Sequence, residues 1–472
     1  MLKSKRWIKK TMIFLFWLLV WEILALAVAN AIVLAGPVEV LHYLMEKGKE
    51  KELWLSLFFS LTRILTGFLS AFAAGSLLGM CSYRYSLIRE FVAPFFTIIK
   101  AVPVAAVTVL LLLWFPSQYL SVVLCFIIVL PNVYEQMVMG LLQVDQEQLA
   151  MANCYGASFL EKAVVIYRCS AAPYLYSSMK ICVGLSFKSA VAAEIIATPA
   201  RTMGERLYFA KIHLDTPGIF AWTLLIVLLS ALTEKILLWI FESLVMKPAY
   251  VPVVLSDRNR KKKERQPSKL VRIHLAEVCK SYGENNVIKN LNWLMEAGQC
   301  YVIMGESGRG KTTLLNLING IVQPESGSIE RIKGISKGKS KKQKVTYGVV
   351  FQNEVVLHSY DVIKNIEIFA GHKLTTEERS DLERLLPVKC LHEKCETLSG
   401  GMKRRVQIAR AIFSDTSVLI MDEPFRGLDE ANRKLCIELI KKYQKNRMLI
   451  IASHDGRDAK DLGGVNWKLE LH

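Results

Sequence analysis

A chain of 472 residues that is 52% hydrophobic, with a mean hydropathy of +0.29, is too apolar for a disordered segment or an ordinary soluble enzyme. Sixty Lys and Arg against 42 Asp and Glu give a net charge of +18, which alone would suit a nucleic-acid binder. Its placement excludes that reading: a basic head (Lys3, Lys5, Arg6, Lys9, Lys10), a linker at 256–268 and a tract at 331–344 carry sixteen of those eighteen charges. Lys and Arg gather at the cytoplasmic ends of membrane segments.

Six apolar stretches follow the head, at about 12–34, 54–80, 92–115, 119–142, 173–198 and 218–245, each near the roughly 20 residues that cross hydrocarbon. Six crossings put both ends on one side. With the basic head inside, the 81–91 loop (Arg84, Arg89), the 143–172 connection and the 256–268 linker are all cytoplasmic. Lys47, Lys49, Lys51, Arg201 and Arg206 fall outside, so the bias is modest. Ala27-Val28-Ala29 also resembles a cleavage site after a basic start, which leaves removal of residues 1–29 as an alternative, although the apolar run through Leu34 exceeds a typical signal core. Near residue 255 the composition turns from apolar runs to charges, glycines and short β-branched runs. The reading is therefore a membrane domain at 1–255, a basic linker at 256–268 and a soluble domain at 269–472.

Within the soluble part, Leu270–Val278, Gly298–Met304, Val345–Phe351 and Ser417–Met421 read as strands and Thr312–Ile318 as the start of a helix, a pattern that implies α/β layers. Gly305-Glu-Ser-Gly-Arg-Gly-Lys311-Thr312 follows a strand and opens a helix, the context that makes such a match a phosphate loop. Its glycines let backbone N–H groups converge on phosphate, Lys311 reaches the β- and γ-phosphates, and Thr312 holds Mg²⁺ through its hydroxyl. Gly305, Ser307, Gly308, Gly310 and Thr313 complete this nucleotide-binding set. Further on, Val418-Leu-Ile-Met-Asp422-Glu423 ends an apolar strand in two carboxylates. One suits the metal and the next suits the attacking water. Ten cysteines (81, 125, 154, 169, 182, 279, 300, 390, 395 and 436) show neither a disulfide framework nor a metal pair and read as reduced thiols.

With those elements in place, the chain from about 268 to 472 resembles the ATP-binding cassette (ABC) family, whose remaining motifs follow in the family's order. Leu398-Ser399-Gly400-Gly401-Met402 resembles the signature loop, which the resemblance implies meets the γ-phosphate held by a second copy. Gln352 resembles the Q-loop residue that links metal and attacking water to the membrane domain, Tyr282 the aromatic that stacks on adenine, His454 the switch histidine, and Asp429 the D-loop acid. Met402 stands where Gln is usual, and Arg426-Gly427-Leu428-Asp429 where Ser-Ala-Leu-Asp is common. Neither departure removes a phosphate ligand, so hydrolysis is expected, with Glu423, His454 and Gln352 catalytic and with Thr312, Gln352 and Asp422 on Mg²⁺. With eighteen residues after His454, no appended regulatory module is expected there.

In the apolar half, Ser60-Leu-Thr-Arg63-Ile-Leu-Thr-Gly67-Phe68 and Ala150-Met-Ala-Asn-Cys-Tyr-Gly156-Ala157-Ser158 resemble import permeases of the sulfonate, nitrate and taurine branch. That implies a short coupling helix within 143–172 that docks on the cassette beside the Q-loop. Ala150, Met151 and Ala152 replace the usual Glu-Ala-Ala, and Arg168-Cys169 the usual Leu-Pro. Glu194 matches an acidic position of that family and is the candidate pathway-lining residue; Lys188, six residues away, does not share its helix face. The resulting expectation is an all-α polytopic membrane domain of about six transmembrane helices followed by an α/β P-loop NTPase domain of ABC type. It would act as a homodimeric, ATP-driven import half in a prokaryotic plasma (inner) membrane, with the ATPase in the cytoplasm. Its partners would be a separate extracytoplasmic substrate-binding protein, the lipid bilayer and a small anion or vitamin-like solute. An exporter half and a membrane-anchored ATPase that moves no solute are the alternatives.

Overall fold

The computed structural model describes residues 2–28, 30, 32–247, 271–283, 285–306, 308–333 and 345–468. The 256–268 linker, Ser307 and most of the 331–344 tract lie outside them. The chain divides into two compact units, Met1–Gln143 with Ser170–Lys247, and Val144–Cys169 with Pro248–His472.

In chain order the helices of the first half are α1 (Leu2–Val28), α2 (Pro37–Lys47), α3 (Lys51–Arg84), α4 (Ser86–Ala101), α5 (Val104–Leu111), α6 (Ser117–Leu142), α7 (Gln146–Cys154), α8 (Phe159–Lys162), α9 (Arg168–Ala197), α10 (Met203–Ile212) and α11 (Thr216–Phe241). Among the described residues, Thr11–Val28, α3, α6 and Thr216–Met246 are long and apolar enough to cross a membrane. The expected span at 92–115 is instead a helix pair, α4 and α5, bent by 102°. Pro103 causes the break, because the residue before a proline is pushed to extended backbone and Val102 sits at ψ 132°. The 81–91 segment, expected as a loop, is helical except at Tyr85. The 173–198 stretch is helical within α9, whose lysines, glutamate and five serines leave it short of the apolar character of a span.

The first unit is built on α3 against α6. A Cβ on Gly67 would meet the Val122 carbonyl oxygen at 2.6 Å and one on Gly75 the Leu130 carbonyl oxygen at 2.9 Å, so small residues set this backbone spacing. Glu194 does not line an open path here: it is fully buried. Its Oε2 accepts from Ser60 Oγ at 2.8 Å and from the Gly204 N–H at 3.1 Å, while Ser60 Oγ accepts from the Met203 N–H at 2.9 Å. The first N–H groups of a helix lack internal partners, and α3 and α9 supply them to α10.

In the second unit, β1 (Val271–Tyr282), β2 (Asn285–Glu296), β3 (Cys300–Met304), α12 (Lys311–Asn319), β4 (Ser326–Lys333), β5 (Tyr347–Val350), α13 (Val362–Ala370), α14 (Thr376–Leu385), α15 (Gly400–Phe413), β6 (Val418–Asp422), α16 (Glu430–Gln444), β7 (Met448–Ser453), α17 (Gly456–Leu462) and β8 (Val465–Lys468) follow in sequence. They form an antiparallel sheet β2-β1-β4 and a parallel sheet β5-β6-β7-β3-β8. Strand residues alternate between two cores: Val418, Ile420 and Ile450 enter one, Leu419, Met421, Leu449 and Ile451 the other. A parallel sheet buried on both faces explains why these strands read as unbroken apolar runs. Met151, Ala152, Cys154, Tyr155, Val165 and Ile166 join the first of those cores, so the α7–α8 segment is packed as part of this unit.

Candidate functional site

All five strands of the parallel sheet end on one edge, which brings together loops far apart in sequence. Along that edge lie Gln352 after β5, Asp422 at the end of β6 with Glu423 following it, His454 after β7 and the phosphate loop after β3. Gly308 (φ +86°) and Gly310 (φ +77°) take the left-handed backbone the loop needs. A Cβ on Gly310 would strike Val287 of β2 at 2.5 Å, so the β1–β2 hairpin, with Tyr282 near its turn, leans on the loop.

Lys311 is buried, and its Nζ donates to the Gly305 and Glu306 carbonyls at 2.6 and 2.8 Å, a cation folded into its own loop. Thr312 Oγ1 donates to Asp422 Oδ2 at 2.6 Å. Burial pushes the Asp422 carboxyl above its ordinary range, the Thr312 hydrogen bond opposes that, and the Glu423 charge adds to it. Glu423 is buried with a left-handed backbone (φ +45°), its N–H donating to the Ala452 carbonyl at 2.9 Å. A non-glycine residue held there is strained by about 1–3 kcal/mol, and such strain collects at functional sites. His454 Nδ1 lies 3.5 Å from Glu423 Oε1.

The structure thus brings Lys311, Thr312, Asp422, Glu423 and His454 into one cluster. The Gln352 side chain is exposed, while its carbonyl accepts from the buried Arg404 guanidinium. The Tyr282 ring is half exposed, with Lys280 Nζ 5.2 Å from its centroid. Ser399 caps α15 by accepting from the Met402 N–H, and Gly400 and Gly401 form the first turn. Asp429 caps α16 through the Asn432 N–H at 2.8 Å. Among the described residues no hydrogen bond joins Ser399, Gly400, Gly401 or Asp429 to the Lys311 cluster.

Sequence reasoning passed over the face of α15 behind the signature. Arg404 donates to the Phe351 and Gln352 carbonyls, Gln407 accepts from the Phe351 N–H at 3.0 Å and donates to the Asn353 carbonyl at 2.8 Å, and Arg410 donates to the Val355 carbonyl at 2.9 Å. Spacing of three residues puts all three on one helix face. The Arg410 guanidinium also sits 5.9 Å from the Tyr155 ring and 5.5 Å from the Phe369 ring. The Tyr155 hydroxyl accepts from the Val349 N–H at 3.2 Å, Gln148 donates to the Val356 carbonyl at 3.1 Å, and Asn353 donates to Glu147 at 2.7 Å. The α7 segment therefore rests on both flanks of Gln352.

Residues 288–426 match the family model described as ABC transporter, and residues 68–245 match the one described as binding-protein-dependent transport system inner membrane component. The chain carries a transport permease domain and an ABC transporter ATPase domain in one sequence. Nod factor export ATP-binding protein I of Rhizobium johnstonii is 32% identical over 199 residues, covering 41% of this chain and 64% of the relative. The macrolide export ATP-binding/permease protein MacB of Campylobacter jejuni is 29% identical over 201 residues, covering 40% of the chain and 31% of the relative. The chain thus spans less than two thirds of the length of either. An ATP-binding cassette solved as a dimer in a post-hydrolysis state with ADP and Pi is 28% identical, with TM-score 0.35 over 40% of this chain and 90% of that one.

Proposed function

We propose that this ABC transporter chain, with a permease domain at 1–255 and an ATPase domain at 269–472, is one half of a homodimeric ATP-driven importer. It would sit in a prokaryotic inner membrane with its ATPase in the cytoplasm and take a small anion or vitamin-like solute from an extracytoplasmic binding protein. The observation that carries the reading is the burial of Met151, Ala152 and Tyr155 in the ATPase core beside Gln352, together with a permease half that matches the binding-protein-dependent family. A segment packed against the loop that follows β5 is placed to move when that loop moves. The relatives named for export favour a second reading, an export half.

The hydroxyl of Thr312 and the carboxylate of Asp422, 2.6 Å apart, are oxygen donors of the kind a hard divalent cation takes, so they would hold Mg²⁺, with Gln352 approaching from its exposed position. When bound, that ion supplies charge neutralisation at the β- and γ-phosphates of ATP. Lys311 binds the same phosphates after leaving its own loop carbonyls. Glu423 accepts the proton of the attacking water, and His454, in reach of Glu423, orients that pair. The exposed Ser399–Gly401 turn of one copy would close the nucleotide against the phosphate loop of the other, which is why a second copy is required.

The test is ATP turnover of the full chain in lipid vesicles, with each candidate extracytoplasmic binding protein of the same organism added from outside. An importer shows several-fold stimulation by one of them, abolished in Glu423→Gln. Turnover that no binding protein changes, combined with ATP-dependent solute efflux, overturns the import reading in favour of export.

A further inference from the structure

We infer that one face of α9, carrying Lys180, Gly184 and Lys188, is a water-facing site for an anionic solute. Residues at i, i+4 and i+8 lie on one helix face. Lys180 and Lys188 are exposed on it, and a Cβ placed on Gly184 between them would meet no atom within 4 Å. The other side of the same helix is buried through Cys182, Val183, Ser186, Phe187, Ala190 and Glu194. Among the described residues neither lysine makes an ion pair. The assignment rests on the permease reading and adds to it the residues that meet the solute.

Three surroundings could face such a stripe. Lipid is excluded on energy: a lysine at membrane depth costs several kcal/mol unless it reaches water or a partner, and Lys188 sits nine residues before the end of α9, about 14 Å at the rise of a helix. That is beyond the reach of its side chain. A two-fold partner offers the same face in return, and the one carboxylate of α9, Glu194, is buried on its other side, so this face brings no acid to the lysines. Water carrying an anion remains. Two cations separated by an open glycine, about 12 Å apart along the axis, suit a small oxyanion such as a carboxylate, sulfonate or phosphate-type group. The polar composition that keeps α9 from passing as a span has the same origin, because a helix lining a wet path needs no apolar circumference.

The test uses the full chain in lipid vesicles with Gly184→Cys as reporter, the unsubstituted chain giving the background of its ten native cysteines. Anionic and cationic methanethiosulfonates are compared. The anionic reagent is expected to react about tenfold faster, as charge focusing in a lined cleft produces. Substituting Lys180→Gln and Lys188→Gln in the reporter should bring the ratio to one or below, and methanesulfonate should slow labelling where tetramethylammonium at equal ionic strength does not. A cationic reagent reacting as fast as the anionic one, or no labelling by either at Gly184→Cys and at Ile181→Cys, overturns the inference. ATP turnover measured on the same vesicles separates this from failure of the transporter reading, since the inference can fail while turnover and its stimulation by a binding protein persist.

Discussion

Arg426 Nη1 lies 3.6 Å from Glu423 Oε2, across a turn closed by the Arg426 N–H donating to the Glu423 carbonyl at 3.2 Å. The residue that departs from the common D-loop pattern therefore sits against the carboxylate proposed to take the proton from water. Such an ion pair favours one orientation of the carboxylate. Arg426 is well exposed, so water screens the pair and the effect is small. Arg426→Ser is expected to leave kcat for ATP within about twofold and KM unchanged, as loss of a solvent-screened ion pair predicts. Steady-state ATPase assays check this, and a larger fall in kcat would mean that Arg426 places Glu423.

Tyr155 meets the ATPase unit in two ways that separate cleanly. Tyr155→Phe removes the hydroxyl that accepts from the Val349 N–H but keeps the ring beside Arg410, and is expected to cost about 1 kcal/mol with transport and ATPase still in step. Tyr155→Leu also removes the ring from a buried guanidinium whose Nε and Nη1 have no hydrogen-bond partner. A desolvated cation–π contact is worth about 2 kcal/mol. Solute moved per ATP should then fall several-fold while ATPase persists, measured in vesicles with both quantities read together.

Gly204 opens α10 directly under Glu194. A Cβ there would lie 2.3 Å from Glu194 Cβ and 2.7 Å from its carbonyl carbon, contacts that no side-chain rotation relieves. Gly204→Ala is expected to destabilise the permease unit by about 3 kcal/mol through overpacking, read as a fall in the melting temperature of the detergent-solubilised chain. Ser60→Ala, which only removes one donor to Glu194 and one acceptor for Met203, should cost about 1 kcal/mol.

The phosphate loop and the β6 carboxylates were legible because their spacing is local: a strand, a turn and a helix fix Lys311 and Thr312, and one strand end fixes Asp422 and Glu423. Their meeting at 2.6 Å follows from parallel strand order, which no single segment encodes. The grip of Arg404, Gln407 and Arg410 on residues 351–355 was readable only as a three-residue spacing on α15, since its acceptors are main-chain carbonyls common to every sequence. Glu194 was misplaced for the opposite reason. An acid among apolar residues marks a place that needs a partner, and composition does not say whether the partner is a solute or, as here, the first turn of a neighbouring helix.

His372 and Glu378 give the ATPase unit a pH window of its own. His372 Nε2 lies 3.1 Å from Glu378 Oε2, which also accepts the Thr375 N–H at 2.8 Å in the capping box of α14. The hydrogen bond to Glu378 holds the His372 imidazole above its ordinary value, against partial burial. Burial works to raise Glu378, yet its bonds to His372 and Thr375 bring it below the carboxylate range. A raised histidine stabilises the fold fully below its unfolded value and loses that contribution as pH rises through its folded one; a depressed carboxylate stabilises above its unfolded value and loses it as pH falls through its folded one. With ordinary values of 6.5 and 4.5, both contributions are whole only between those two points. The stability difference between the native chain and His372→Gln, from denaturant unfolding of the ATPase unit's signal, is expected to be largest at about pH 5–6 and to shrink steadily as pH passes 7. In Glu378→Gln the pH dependence of the histidine contribution should shrink, because the neutral amide removes the largest group that holds the imidazolium and leaves only the Ala370 carbonyl and the Asp415 charge.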